Sequence, residues 1–265
     1  MSGRDDVIVT DGWRALRPLT PARVALGRVG ASLPTREVLK LGLAQAQARD
    51  AVHAPLDLDA IESALRRLGF TTLRLASAAP SRDIYLRRPD LGRRLARASR
   101  LVLEAMERPG CDLALIVADG LSAPAIHAHA APLLETFLPY VRAAGWRVGP
   151  VAIASEARVA LGDEIGELVR ARASVLLIGE RPGLSSPDSL GVYLTFTPKL
   201  GRTDAERNCI SNIRAEGLAY AHAAFKLGWL LKEAFRRSLT GVALKDESDQ
   251  LLLDVGAGQL TAREK

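Results

Sequence analysis

The segment with the clearest chemical potential is the turn Glu180-Arg181-Pro182-Gly183. It follows a short apolar run, Ser174 to Gly179, that suits a strand buried on both faces. Pro182 cannot continue a sheet ladder, and Gly183 lets the backbone approach a ligand closely. The charged turn therefore reads as the point where a buried strand reaches water. In an open α/β sheet that end of a strand is where ligands gather. Glu180 is the first candidate binding residue, with pairing to a surface arginine as the plain structural alternative.

Other patterns yield less. His127 and His129 stand two apart in a predicted helix and face different directions, so they cannot chelate one metal from it. His53 and His222 have no Cys or His partner at ligand spacing. Cys111 and Cys209 are too few for a disulfide framework or a cysteine-built metal site, and read as two small buried thiols of a cytosolic protein. No predicted strand is followed by G-x-G-x-x-G, which disfavours a nicotinamide enzyme, and neither a G-x-x-x-x-G-K-[ST] phosphate loop nor a G-x-S-x-G elbow occurs. No catalytic residue and no metal ligand is assigned. The chain reads as a ligand-holding fold whose chemistry belongs to a cofactor or to another chain.

The elements that must position Glu180 follow from the order of apolar patterns. Amphipathic helices are predicted from Thr35 to about Arg49 and from Asp57 to Leu68, and a short strand from Thr72 to Ala76. A loop from Ser81 to Asp90 leads into an arginine-rich helix from Leu91 to about Glu107. A buried strand, Leu113 to Ala118, ends at Asp119-Gly120; Ser122 then caps a long helix that Gly145 stops. A strand from Trp146 to Ala154, a helix from Gly162 to Ala171 and the buried strand at Ser174 complete the repeating units. The strand from Leu190 to Thr197 follows too short a connection for a parallel crossover, so it is expected to run antiparallel at or near an edge. A helix from about Gly217 to Leu239 closes the fold, with Leu218, Phe225, Trp229 and Phe235 as expected core positions.

The expected fold is α/β: a Rossmann-like, mostly parallel sheet covered by helices, with an N-terminal helical extension. Its parts are a helical segment over 1–55, the sheet domain over 56–245 and a loosely attached tail over 246–265. With 265 residues, 48% of them hydrophobic, the chain can bury one full core. No apolar run approaches the roughly 20 residues needed to span a bilayer, and the first residues lack the pattern of a secretory signal. Residues 1–110 carry 19 Lys and Arg against 12 Asp and Glu, whereas 111–265 carry 17 against 18, so the entire net charge of +6 lies in the first part. A basic nucleic-acid-binding module is the alternative function. Few aromatics lie among the arginines, and arginine suits protein interfaces equally well.

Seven stretches in order then carry a resemblance. They are GRVGASLPT with ARDAVH, YLRRPDLGRRL, IVADGLSAPAI, the RV-x-x-G-D-x-I-G-E block from Arg158 to Glu167, LLIGERPGL and RNCISNI. Over roughly Val24 to Lys245 the chain resembles the light subunit of ethanolamine ammonia-lyase, an adenosylcobalamin-dependent enzyme that converts ethanolamine to acetaldehyde and ammonia. The resemblance implies a Rossmann-like subunit that covers cobalamin at the interface with a heavy (β/α)8-barrel subunit, where the radical chemistry takes place. It places cobalamin contacts at Val159, Glu180 and Cys209. A carboxylate or an exposed backbone carbonyl at these positions can accept from the amide side chains of the cofactor's rim.

Two departures refine what the resemblance implies. Only about two dozen residues precede GRVG, fewer than the family's longer extension that is associated with packaging; plain cytoplasm is expected, with a bacterial microcompartment as the alternative. Asp50 and His53 are spaced D-x-x-H, one residue off the D-x-H-x-x-G signature of proteins that replace the cofactor's own base, so the cobalamin is expected base-on. The expected partner is the heavy subunit in a hetero-oligomer, rather than nucleic acid or a membrane.

Overall fold

A computed structural model describes residues 8–20, 22–106 and 110–250. Its centre is one six-stranded sheet: β1 (Thr72–Ala76), β2 (Cys111–Ala118), β3 (Val151–Ser155), β4 (Ala171–Gly179), β5 (Leu190–Phe196) and β6 (Asn208–Ile213). The spatial order is β1-β3-β2-β4-β5-β6. The pairs β1–β3, β3–β2 and β2–β4 are parallel, and β4–β5 and β5–β6 are antiparallel. The mostly parallel α/β fold is thus as expected, and β5 is antiparallel, one strand in from the edge. β6 is a strand that the sequence reading left out.

Helices cover both faces. On one side α2 (Leu58–Arg67), α5 (Ala123–Ala144) and α7 (Tyr220–Arg237) bury a large core that includes Leu115, Phe137, Val175, Val192 and Leu227. On the other, α4 (Arg97–Ala105) and α6 (Leu161–Leu168) pack Leu103, Ile165 and their neighbours on Ile116, Ala154 and Leu176. β2 and β4 are apolar on both faces because both are sandwiched, hence their unbroken runs. The N-terminal extension consists of a 3-10 helix (Gly12–Leu19) and α1 (Thr35–His53), which contacts α5. Beyond residue 245, the described part of the expected tail is tied to α7, where Lys226 pairs with Asp246 at 3.1 Å and Asp249 at 2.7 Å; residues 251–265 lie outside the described ones.

Several expected elements are corrected, each for a tertiary reason. The expected loop at Ser81 contains a short helix, α3 (Arg82–Arg87), capped by the Ser81 hydroxyl on the Ile84 N–H at 3.4 Å. The arginine-rich helix does not start at Leu91. A single 3-10 turn (Leu91–Arg93) comes first, because Gly92 is pressed against the Tyr85 ring and the Leu95 N–H donates to the buried Glu164 carboxylate at 2.9 Å. β3 begins only at Val151: Arg147 and Val148 run beside β2, but Pro150 has no N–H for the ladder. The buried face of α7 is Ala223, Ala224, Leu227, Leu230, Leu231 and Ala234. Leu218, Phe225, Trp229 and Phe235 are only partly buried around it.

Candidate functional site

All four parallel strands end on one edge of the sheet, and the loops after β2 and β3 leave to opposite faces, towards α5 and α6 respectively. Such a reversal opens a crevice. Here the chain fills it with its own side chains. Asp119, at the end of β2, is 2% exposed and accepts from the N–H groups of Glu156 (2.9 Å) and Ala157 (3.1 Å) in the loop after β3. Arg82 of α3 reaches in between: Nη1 donates to Asp119 (3.1 Å), Glu156 (3.0 Å) and the Gly120 carbonyl (2.9 Å), and Nε to the Val52 carbonyl at the end of α1 (2.7 Å). Burial drives the Asp119 carboxyl up to about 6. Glu156 holds a left-handed φ of 54°, a conformation that its captured N–H helps to fix.

Tyr85, fully buried, completes the plug. Its hydroxyl donates to Gly120 O at 2.8 Å and Ala157 O at 3.0 Å, and burial raises the phenol's pKa far above the ordinary value. The guanidinium carbons of Arg82 and Arg158 lie 4.8 and 4.3 Å from its ring centroid.

With the β2/β3 crevice filled, the open space lies towards β4. A pocket of about 390 Å³ is lined by Leu121, Arg158, Val159, Ile178, Glu180 and Tyr193, among others. Its back wall is the junction of β2 and β4, where two glycines let the strand ends touch. A Cβ on Gly120 (φ 55°) would sit 2.2 Å from the Gly179 carbonyl oxygen, and one on Gly179 would sit 2.1 Å from the Ser122 carbonyl oxygen. Gly183 plays a different part from the one expected. It does not line the pocket; it exchanges backbone hydrogen bonds with Ser186 inside its own loop.

The Glu180 carboxylate stands at the mouth of this pocket, with no arginine partner among the described residues. Ser189 Oγ donates to one oxygen at 2.5 Å, Ser211 Oγ to the other, and the Asn212 N–H to the first at 3.2 Å. Glu180 thereby clamps the end of β4 to β6. Val159, half-buried in the loop before α6, lines the same pocket. Cys209 does not line it. It sits on β6 directly opposite Tyr193 of β5, with the phenol of Tyr193 against its sulfur. Directly paired residues of antiparallel strands share a face, so Cys209 continues the surface that Tyr193 begins. The expectation that both thiols are buried is corrected: Cys111 is buried, whereas Cys209 is exposed, because α7 packs on the opposite side of β6.

Of the three residues that the resemblance named, Val159 and Glu180 line one pocket and Cys209 lies beside it; Arg82, Tyr85, Asp119 and Arg158, which meet beside that pocket, were not singled out from the sequence. Among the histidines, His127 accepts from the Asp57 N–H at 3.1 Å, and buried His129 lies 2.7 Å from the Tyr220 hydroxyl. The arginine-rich segment divides. Arg82 turns inward, and Arg100 pairs with the buried Glu164. Arg93 and Arg94 are exposed and line a cleft of about 860 Å³ together with Arg202, Asp163 and Asp204. Among the described residues no helix is long and apolar enough to cross a membrane.

Comparison with known proteins places this architecture. The family model for "Ethanolamine ammonia-lyase light chain (EutC)" matches residues 10–245. The chain is similar to the ethanolamine ammonia-lyase small subunit of Azotobacter vinelandii, with 58% identity over 249 residues covering 93% of this chain and 92% of the relative. It is likewise 56% identical to that of Xanthomonas campestris pv. campestris over 92% of this chain and 90% of the relative, and 56% identical to that of Ralstonia nicotianae over 96% of both.

Proposed function

The chain belongs to the ethanolamine ammonia-lyase light-chain family, and from that premise we propose that it covers base-on adenosylcobalamin at an interface with a heavy, catalytic subunit. The observation that carries the reading is the convergence of Val159 and Glu180 on one pocket, with Cys209 one strand away beside the Tyr193 that lines it. The pocket is of a size that holds a drug-sized ligand; a corrinoid is larger, so only part of its rim enters. That suits a cover and not a complete enclosure.

The residues present fit such a rim. Leu121, Val159 and Ile178 offer apolar contact. Glu180 accepts from amide N–H groups, because the Ser189 and Ser211 hydroxyls that hold it can rotate to other partners. Arg158 lines the pocket with no side-chain hydrogen bond or ion pair among the described residues, so the outer N–H groups of its guanidinium supply donors. When bound, the cofactor supplies the radical chemistry by which ethanolamine becomes acetaldehyde and ammonia. This chain's residues bind and orient it and exclude water, while substrate groups belong to the heavy subunit. The exposed Arg93 and Arg94 serve subunit association rather than nucleic-acid binding.

The test is equilibrium cobalamin binding by the two-subunit complex. Glu180→Ala is expected to weaken it roughly 5- to 150-fold, the equivalent of about 1–3 kcal/mol for a stranded donor, and to leave the ethanolamine requirement unchanged. Glu180→Gln costs less, since its amide oxygen can keep the Asn212 N–H. Unaltered cobalamin affinity in Glu180→Ala would remove the side chain from the site.

A further inference from the structure

The pocket contains a cation that the contacts described so far leave uncompensated. Arg158 makes no ion pair among the described residues, and its Nε is buried with no hydrogen-bond partner. Nevertheless it is firmly seated. Its backbone N–H donates to the Gly92 carbonyl at 2.8 Å, and its side-chain stem passes so close to Gly92 that a Cβ there would stand 2.9 Å from its Cγ. Its guanidinium lies over the Tyr85 ring, which is itself pinned by two hydrogen bonds. A planar cation held over an aromatic ring keeps its N–H donors at its edge, where they can meet oxygens.

We propose that Arg158 holds the phosphodiester of the cofactor's nucleotide loop. The inference rests on the cobalamin reading above and adds to it which part of the cofactor this pocket receives. A guanidinium enclosed between a partner subunit and this pocket needs an anion, since an unpaired charge is costly once water is excluded. The amide side chains of a corrinoid are neutral; the phosphodiester is its anionic group, and its two free oxygens match the guanidinium fork. Glu180 does not meet this need, because its partners are two hydroxyls and a backbone N–H.

The experiment compares two corrinoids on the two-subunit complex, read by the change in visible absorption on binding. Cobinamide lacks the nucleotide loop; cyanocobalamin has it. Arg158→Met is expected to weaken cyanocobalamin binding tenfold or more, in the range of a lost charge-assisted hydrogen bond, and to change cobinamide binding less than about twofold. Arg158→Lys keeps the charge without the fork and should fall between; it carries the test if Arg158→Met fails to assemble. Equal weakening with both corrinoids, or none with either, overturns the assignment. If Glu180→Ala weakens cobalamin binding while the Arg158 variants do not, the inference falls alone; if neither position affects it, the cobalamin reading falls with it.

Discussion

Asp119 and Glu180 occupy equivalent places, each the first residue beyond a central parallel strand, yet they are held by different kinds of donor. Asp119 follows β2 and is gripped by two backbone N–H groups and the inward-turned Arg82. Glu180 follows β4 and is held by two hydroxyls and one N–H at the mouth of the pocket. Backbone donors and a mostly buried guanidinium cannot turn elsewhere, so Asp119 is committed to joining the loops after β2 and β3. Hydroxyls can rotate, so Glu180 can share its oxygens with a ligand. The crevice that this fold class usually offers to ligands has become structural scaffold, and the open pocket lies one strand along.

Removing Asp119 should have the largest effect on this contrast. Asp119→Ala leaves Arg82, whose side chain is 13% exposed, without its buried carboxylate and strands two N–H groups. Breaking a buried pair in this way costs about 3–5 kcal/mol, measurable by denaturant unfolding at pH 7. A cost under about 1 kcal/mol, the scale of an exposed pair, would erase the distinction between the two carboxylates.

The same group sets a pH dependence. Burial raises the Asp119 carboxyl from an ordinary 3.8 to about 6. Between those values the folded chain keeps a proton that the unfolded chain has released, so this contribution is fully present below about pH 4 and is lost as pH rises through about 6. The span corresponds to about 3 kcal/mol. Glu206 and Glu233, held at about 2 by the Thr203 N–H and by Arg236 respectively, act in the opposite sense, below about pH 4.5. Subtracting the unfolding free energies of Asp119→Asn from those of the wild type between pH 4 and 7 isolates the Asp119 term. A flat difference would show that the carboxyl is not perturbed by folding.

Glu180→Ala should cost less stability, about 1–2 kcal/mol, because Ser211 and Asn212 are exposed and water replaces their acceptor, so that the buried Ser189 hydroxyl alone loses one. Its effect should appear in cofactor binding instead. A loss as large as that of Asp119→Ala would make Glu180 a second structural knot. Charge reversal at both Arg93 and Arg94, which have no ion pair among the described residues, should slow assembly with the heavy subunit several-fold at low salt and less at high salt, as expected for exposed charges that steer encounter. Tight DNA binding at about 0.15 M salt, which the reversal abolishes, would instead favour the nucleic-acid alternative.

What could be read in advance follows the range of the interactions. β2 and β4 announced themselves as apolar runs, and Ser122 and Gly145 as the caps of α5, because each signal is local. Glu180 was legible as the residue where such a run ends. β6 was not: in Asn208–Ile213 polar residues alternate irregularly with Cys209, Ile210 and Ile213, and only pairing with β5 makes the segment a strand. The crevice plug was hidden for the same reason. Arg82, Tyr85, Asp119 and Arg158 are up to 76 residues apart, and nothing near any of them in sequence says that they meet. The arginines of the segment 82–100 looked alike; contacts with Glu164 and Tyr85 separate those that build the interior from those left outside.

The smallest effect concerns Cys209, the residue whose place in the site is least direct. In the free chain a neutral alkylating reagent should modify Cys209 and spare the buried Cys111. The reaction should be slow at neutral pH, since burial of the sulfur beside Tyr193 raises the thiol's pKa and only the thiolate reacts. Its rate should therefore climb as pH increases towards 9 and above. Cys209→Ser should abolish this labelling and change cobalamin affinity by less than about 1 kcal/mol, because a sulfhydryl is a weak hydrogen-bonding group that mainly contributes contact area. Within the two-subunit complex loaded with cobalamin, labelling should drop sharply as the Tyr193–Cys209 surface becomes covered. Labelling at the free-chain rate in that complex would leave Cys209 facing water, and the covered surface would then end at Tyr193.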